Sequence, residues 1–526
     1  MSVRVRLAAL RRRREEGGQA MILVVGVILL LTLLPLVVFN QAIQQLPIAH
    51  HDQSYQAALG AAEAGVDDYL NRLNEDGNYW IYSASNPPPT ANGAFTGWVP
   101  IAGTGESFRY TPDTSATLAQ GIVYLDSSGK AGNVVRTVRV GMRRQGFLDY
   151  LYFTDYETAD PASYQDPATA KAYCQYHAYD PNPQTGGYGP DPNWWWDSNL
   201  GQWQGCNFIY FADKDVLNGP VHTNDALYIC GSPTFKGDVD SSDPTAPRWI
   251  DDPSCGGSPS FSRSGDPAYQ GVLSIPPSDQ SVKAEAAVGT SQGCLYTGPT
   301  TIVLKGASMS VTSPDTRSTN PGCVGANVAL PADGVIYVQN IPSSRSDPNY
   351  SSNPPPNPVG DLARTSGDAE VSGTLAGQLT IAADDDVVAM GNLQYSGGLS
   401  GNDVLGLIAN NNVLVYHPTW PTRPSCSSLP SMCNLTIDAA ILSVQHSFTV
   451  DNYADGSPMG TLTINGAIAQ RFRGPVGTFS GNSVVSGYVK SYNYDARLKY
   501  LTPPYFLDPV QSAWQRVSFA ELKPAY

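Results

Sequence analysis

Between Arg14 and Arg72 the 526-residue chain has no lysine or arginine, and before Cys174 it has no cysteine. The first absence leaves an uncharged, aliphatic run from Ala20 to Phe39, and the second confines any covalent bracing to the later part of the chain. Other absences narrow the chemistry. No P-loop, dinucleotide fingerprint or His-Glu-x-x-His occurs, which removes common signatures of phosphoryl transfer, hydride transfer and zinc hydrolysis. Cys-x-x-Cys and the Asp-x-Asp-x-Asp-Gly calcium loop are missing too. The six histidines show no metal spacing. Basic residues, 31 in all, are outnumbered by 46 acidic ones, for a net charge of −15. Six arginines and two glutamates fall in the first sixteen residues, so the remainder is more acidic still. Such a surface resists aggregation and argues against nucleic acid as a partner.

A helix over Ala20–Phe39 would span about 30 Å at about 1.5 Å per residue, the thickness of a bilayer's hydrocarbon core. Arginines precede it and none follows until Arg72, so the positive-inside rule puts the N-terminus in the cytoplasm and the body outside. No Ala-x-Ala follows Phe39, which disfavours a cleaved secretory signal and leaves a signal anchor or an assembly helix. The helical pattern continues beyond the run. Ile43, Leu46, Tyr55, Leu59, Ala62, Val66, Leu70 and Leu73 recur mostly at spacings of three and four, and residues 74–78 supply a stop. Pro35 and Pro47 are expected to kink this helix.

The basic leader, the junction Glu15-Glu16-Gly17-Gly18, the apolar helix with an internal proline, and Ala61-Ala62-Glu63-Ala64-Gly65-Val66 resemble the type IV pilin and type II secretion pseudopilin superfamily, particularly its larger minor members. The resemblance covers about residues 10–75. It implies cleavage by a prepilin peptidase after Gly17 or Gly18, a helix that packs with other pilin-like subunits, and a small sheet behind that helix. Most members carry glutamate five residues after the cut, where this chain has Ile22 or Leu23. Asn218 to Asn224, Pro233 to Gly237 and Arg473 to Gly477 resemble an uncharacterised β-rich domain found behind such leaders in bacterial surface proteins.

The expected fold is mainly β with one long N-terminal helix. Its parts are a cytoplasmic leader (1–18), a transmembrane and amphipathic helix (19–76), a pilin-like β domain (77–150), an aromatic, turn-rich insertion (151–206) and a surface domain (207–526). Strands are predicted at 107–110, 121–125 and 133–140, with residues 126–130 as a hairpin turn. Beyond 207, β runs such as 216–229, 369–381, 386–395, 404–415, 435–450 and 461–469 alternate with Gly, Asn and Asp turns. This pattern suits an irregular right-handed parallel β-helix, or alternatively a β-sandwich. Cys174, Cys206, Cys230, Cys255, Cys294, Cys323, Cys426 and Cys433 are even in number and widely spaced, which in an exported body reads as disulfides between neighbours.

Trp194, Trp195 and Trp196 are a candidate ligand platform for a surface glycan. His222 lies in a Gly-Pro-Val-His-Thr-Asn stretch that either orients a ligand or holds a turn. Asp384, Asp385 and Asp386 are either a solvated turn, a calcium site or glycan-cleaving carboxylates. The sequence therefore points to a non-enzymatic cell-surface protein, membrane-bound through its N-terminal helix, with no catalytic residue, no resident metal and no cofactor other than calcium to consider. The alternative is a membrane-anchored polysaccharide-degrading enzyme.

Overall fold

A computed structural model describes the chain except residues 1–2, 77–78, 116–121, 145, 194, 199, 290–291, 324, 358, 360–361, 420–422, 481–482, 511–513 and 523–526, and except the side chains of residues 3–20, 38 and 40–49. Two compact units emerge. The first comprises residues 1–113, 123–142 and 516–526, and the second comprises 114–122 and 143–515. The last strand of the chain, which sequence grouped with the surface domain, thus returns to the first unit.

In the first unit, helix α1 (Val3–Glu75) is continuous through both Pro35 and Pro47. Its described residues 21–37 and 39 are all exposed. Its C-terminal part instead buries Ala58, Ala61, Ala62, Val66, Tyr69 and Leu73. Leu59 and Leu70, expected on the buried stripe, are only half-buried, because small residues face the sheet and let the helix backbone approach it. Among the described residues, no helix is long and apolar enough to cross a membrane.

The sheet runs β1 (Val99–Pro100), β2 (Glu106–Asp113), β3 (Ile122–Ala131), β4 (Val134–Arg144) and the C-terminal strand Trp514–Leu522. The turn expected at residues 126–130 is strand: β2 pairs with β3 antiparallel from Glu106 opposite Ala131 to Asp113 opposite Tyr124. The reversal comes after it, where Gly132 has φ +58°. The polar, small residues that look like a turn serve the helix instead. Ser127 Oγ donates to the Ala62 carbonyl at 2.8 Å, and a Cβ on Gly129 would lie 2.1 Å from the Ala58 carbonyl oxygen. At the other edge, Arg136 Nε donates to Glu521 Oε1 of the C-terminal strand at 2.6 Å while its guanidinium stacks 3.8 Å from the Tyr55 ring.

The second unit is built of large parallel and mixed sheets. One column of paired residues reads Cys294, Ile336, Ile381, Leu407, Ile441, Ile468, Tyr152, Val221, Val239. All nine lie in one buried cluster. The neighbouring residues Leu295, Tyr337, Ala382, Ile408, Leu442, Ala469 and Phe153 point the other way, as strand period two requires, and are covered by Leu273, Ile275 and Val282. Both faces of this ladder are therefore dry, which is why its strands read as continuous apolar runs.

The numbers in that column carry a topological fact. Strand β5 (Tyr152–Tyr156) sits between Pro458–Phe472 on one side and Val221–Thr223 on the other, so the chain enters the stack in its middle. It runs outward to Ala268–Tyr269, restarts at Cys294–Thr297, and closes back on its own entry strand. The stretch 216–229, expected as one β run, is three strands, Val216–Asn218, Val221–Thr223 and Leu227–Cys230, in separate ladders. Asn218-Gly219-Pro220 makes the first corner, and a Cβ on Gly219 would meet Tyr494 Cβ at 2.4 Å.

Four disulfides, Cys174–Cys206, Cys230–Cys255, Cys294–Cys323 and Cys426–Cys433, each close one excursion.

Candidate functional site

The three consecutive aspartates have three different jobs. Asp386 belongs to a corner ladder in which Asp368, Asp386, Asn412 and Ser447 each precede a strand of adjacent rungs. The Asp386 amide donates to Asp368 Oδ1 at 3.1 Å, the Asn412 amide to Asp386 Oδ1 at 2.8 Å, and the Ser447 amide to Asn412 Oδ1 at 3.1 Å. The side chains of Asp368, Asp386 and Asn412 thus each satisfy the backbone donor of the next rung. Asp385 accepts from Asn411 Nδ2. Asp384 holds the short helix Gln280–Glu285, taking Lys283 Nζ at 2.9 Å and the Asn340 amide at 2.9 Å.

Burial, reinforced by the charges of Asp386 and Asp385, pushes the Asp368 carboxyl up to about 8. Burial likewise lifts Asp386 to about 6. The Tyr337 hydroxyl lies 2.8 Å from Asp279 Oδ1 and 2.7 Å from Asp384 Oδ1. One hydroxyl proton cannot serve both. Burial raises Asp279 to about 7, so its protonated form, which can supply the second hydrogen, is favoured below that pH. Asp384 goes the other way: burial opposes its charge, but donors from Tyr337, Lys283 and Asn340 prevail and lower it.

Among the described residues, Asp368, Asp385 and Asp386 bring carboxylate oxygens within 4.8 Å of one another, close enough to share a cation. Calcium takes about six to eight oxygens. Here Asp368 already accepts from Asn357 Nδ2 at 2.8 Å as well as from the Asp386 amide, so its oxygens are engaged in holding the corner. Glycosidic cleavage needs one carboxyl on each side of a bond. These three stand on one corner of one stack.

The tryptophan run divides by strand parity. Trp194 lies outside the described residues. Trp195, 6% exposed, packs in the cluster of the Cys174–Cys206 bridge, whereas Trp196 is 55% exposed. Successive residues of a strand face opposite sides, so Trp195 and Trp196 do not share one face. The exposed aromatic pair is Trp196 with Trp203, edge to face at 5.9 Å across a hairpin. His222 is in a strand and fully buried, stacked on Phe153 at 5.6 Å and bonded to Asp240 and to Asn224 Oδ1. It holds the fold. Gly17, Gly18 and Ala20 lie within α1 where side chains are not described, while Pro35 and Phe39 are exposed on it.

Two groups of charges had no sequence signal, because their members come from distant segments. At the seam where the chain's two runs meet, Glu157, Asp215, Arg473 and Lys490 form a neutral quartet. Arg473 Nη1 lies 3.0 Å from Glu157 Oε2, Lys490 Nζ 3.1 Å from Asp215 Oδ2, and the Arg473 guanidinium 3.5 Å from the Phe211 ring. Nearby, His177 lies between Tyr156 and Tyr179, with Nε2 3.2 Å from Asp155 Oδ1 and Nδ1 2.7 Å from Asp180 Oδ2. Burial opposes its charge, but the carboxylates prevail and push it up to about 10.

No family model matches the chain, and no curated protein does. Among solved structures it is similar to the competence-associated pilin ComZ from Thermus thermophilus, at 13% identity and a TM-score of 0.28 over 89% of this chain and 97% of that one. A score of that size does not establish a shared fold.

Proposed function

We propose that the chain is a minor-pilin-like or pilus-assembly-like cell-surface protein, held or assembled through α1, with the second unit as a displayed head. The observation that supports this is the division of α1. Its C-terminal part is buried against an antiparallel sheet, while Met21 to Val37 exposes Ile22, Leu23, Leu30, Leu31, Leu34 and Leu36 at 59% or more. Burying a side chain of this size is worth about 1.5–3 kcal/mol. A stripe of them has to be covered by lipid or by other helices of the same kind, and the proposal assigns it both in turn: membrane before assembly, neighbouring pilin-like subunits after. The head is read as a right-handed parallel β-helix used for adhesion or subunit contact, without catalysis, cofactor or nucleic acid.

The test is the mature N-terminus. Co-expressed with a prepilin peptidase, the chain should lose its first 17 or 18 residues by intact mass and should be retained with membranes until filament subunits are supplied. An intact Met1 under those conditions overturns the processed-subunit reading.

A further inference from the structure

Between two pinned ends, a short segment of the second unit is held over the ladder by a carboxyl that has no cation of its own. Upstream, Asn224 Nδ2 donates to the Leu273 carbonyl at 2.8 Å, the Val510 amide to the Ser274 carbonyl at 2.9 Å and Gln445 Nε2 to the Pro277 carbonyl at 2.5 Å. Downstream, the Gly289 amide donates to Asn320 Oδ1 at 2.7 Å and Asn320 Nδ2 to the Ala287 carbonyl at 3.2 Å. The helix Gln280–Glu285 lies between these pins and places Val282, with Ala286 just beyond it, in the buried cluster of Leu295, Val335, Tyr337 and Ala382. A helix that short does not stand alone in water, so what clamps it decides whether it stays down. We propose that this helix is an acid-closed flap: one proton shared among Asp279, Tyr337 and Asp384 clamps it to the ladder, and loss of that proton lets the helix lift and uncover the apolar face beneath.

A count of charges at the clamp leads there first. The groups that meet are Asp279 and Lys283 of the flap, Tyr337 from strand Val335–Gln339, and Asp384 just after strand Gln378–Ala383. Lys283 is the cation of the four. Its Nζ is committed to Asp384, 2.9 Å from Oδ2 and 3.3 Å from Oδ1, and Asp384 also accepts from Gln280 Nε2 at 3.2 Å. Asp279 is fully buried. Its Oδ1 meets the Tyr337 hydroxyl that Asp384 also claims, and its Oδ2 has no hydrogen-bond partner among the described residues. It stands at the N-cap position, yet its side chain makes no capping bond.

An ionised Asp279 is therefore a buried, uncompensated charge beside a second carboxylate. A protonated one donates to the Tyr337 oxygen while Tyr337 donates to Asp384. Burial pushes Asp279 up to about 7 against the bond from Tyr337, and the charge of Asp384 adds to the rise. In the lifted flap the same carboxyl meets water and returns to about 3.9. Closure is then strongest below about pH 4 and is lost progressively as pH rises to about 7.

The flap is independent of the filament proposal, and hydrogen exchange read by mass spectrometry on purified full-length chain in detergent tests it. Between pH 5.5 and 8.5, with rates corrected for intrinsic exchange, peptides spanning 280–286 should lose protection about 30-fold, while those spanning 335–339 change by less than about threefold. Asp279→Asn has the same shape, never ionises and keeps a donor for the Tyr337 oxygen, so its flap should stay protected at both pH values. Asp368 and Asp386 also titrate on this ladder, and a pH response that the variant retains would be theirs. The flap is overturned if 280–286 changes by less than about threefold in the parent, if Asp279→Asn opens with pH as the parent does, or if Asp279→Asn, folded by its thermal midpoint, is loosened equally at both pH values.

Discussion

Arg473→Met removes the guanidinium from the seam quartet and leaves Glu157 and Asp215 facing Lys490 alone. The site is dry: Arg473 is 2% exposed and Glu157 fully buried. Besides its bond to Glu157, the guanidinium donates to the Tyr210 carbonyl at 3.2 Å and stacks on Phe211. Methionine fills much of the same volume, so the loss is electrostatic rather than a cavity. Breaking a buried pair by deleting one partner costs about 3–5 kcal/mol, because the remaining charge is stranded. The double variant Arg473→Met with Glu157→Gln removes that stranded charge and should recover about half of the loss or more. Urea unfolding followed by tryptophan fluorescence measures both. Hydrogen exchange should show Tyr152–Tyr156, the strand clamped at the seam, losing protection first. A single-variant cost under about 1 kcal/mol, or a double variant no more stable than the single, would refute the view that this quartet holds the two runs together.

His177 carries a folded-state value raised to about 10. Its contribution is therefore complete below about pH 6.5 and is lost as pH rises towards 10, so the gap in thermal midpoint between the parent and His177→Gln should narrow over that range. Asp386, lifted to about 6, acts in the same direction in a lower window: its ionisation destabilises the fold as pH rises from about 4 to 6. Asp386→Asn keeps the oxygen that accepts the Asn412 amide and should stabilise the head above pH 6 by on the order of 2–3 kcal/mol, measured as a denaturation midpoint. Gly129→Val drives a side chain into the α1 backbone and should cost about 3 kcal/mol or more, with loss of helix docking visible by proteolysis after residue 50. Replacing Cys174 and Cys206 with alanine opens a loop with sequence separation 32 and should cost about 3–4 kcal/mol, read from melting of the insertion.

The long helix was legible because a charge-free run and a three-and-four periodicity are local properties of the chain, and the β character of the rest was legible from its short apolar runs and turn residues. The identity of the buried helical stripe was not. Hydrophobicity favours Leu59 and Leu70, but the depth of helix docking is set by Gly129 and Ser127, more than fifty residues away, so alanines take the inner positions. Asp384, Asp385 and Asp386 show the same limit. Adjacent in sequence, they are separated in role by the rung, the corner and the short helix that each one meets.

Sequence by itself determined that the chain has a long helix with an apolar run and a β-rich, cysteine-bearing body behind it, because those follow from composition and period. Only the tertiary structure decided where the body begins and ends. Parallel ladders join strands by register between segments far apart in sequence, so the entry strand Tyr152–Tyr156 lies at mid-stack and the final strand Trp514–Leu522 belongs to the helix's own sheet. The quartet exists for the same reason: its residues meet only after those ladders have closed.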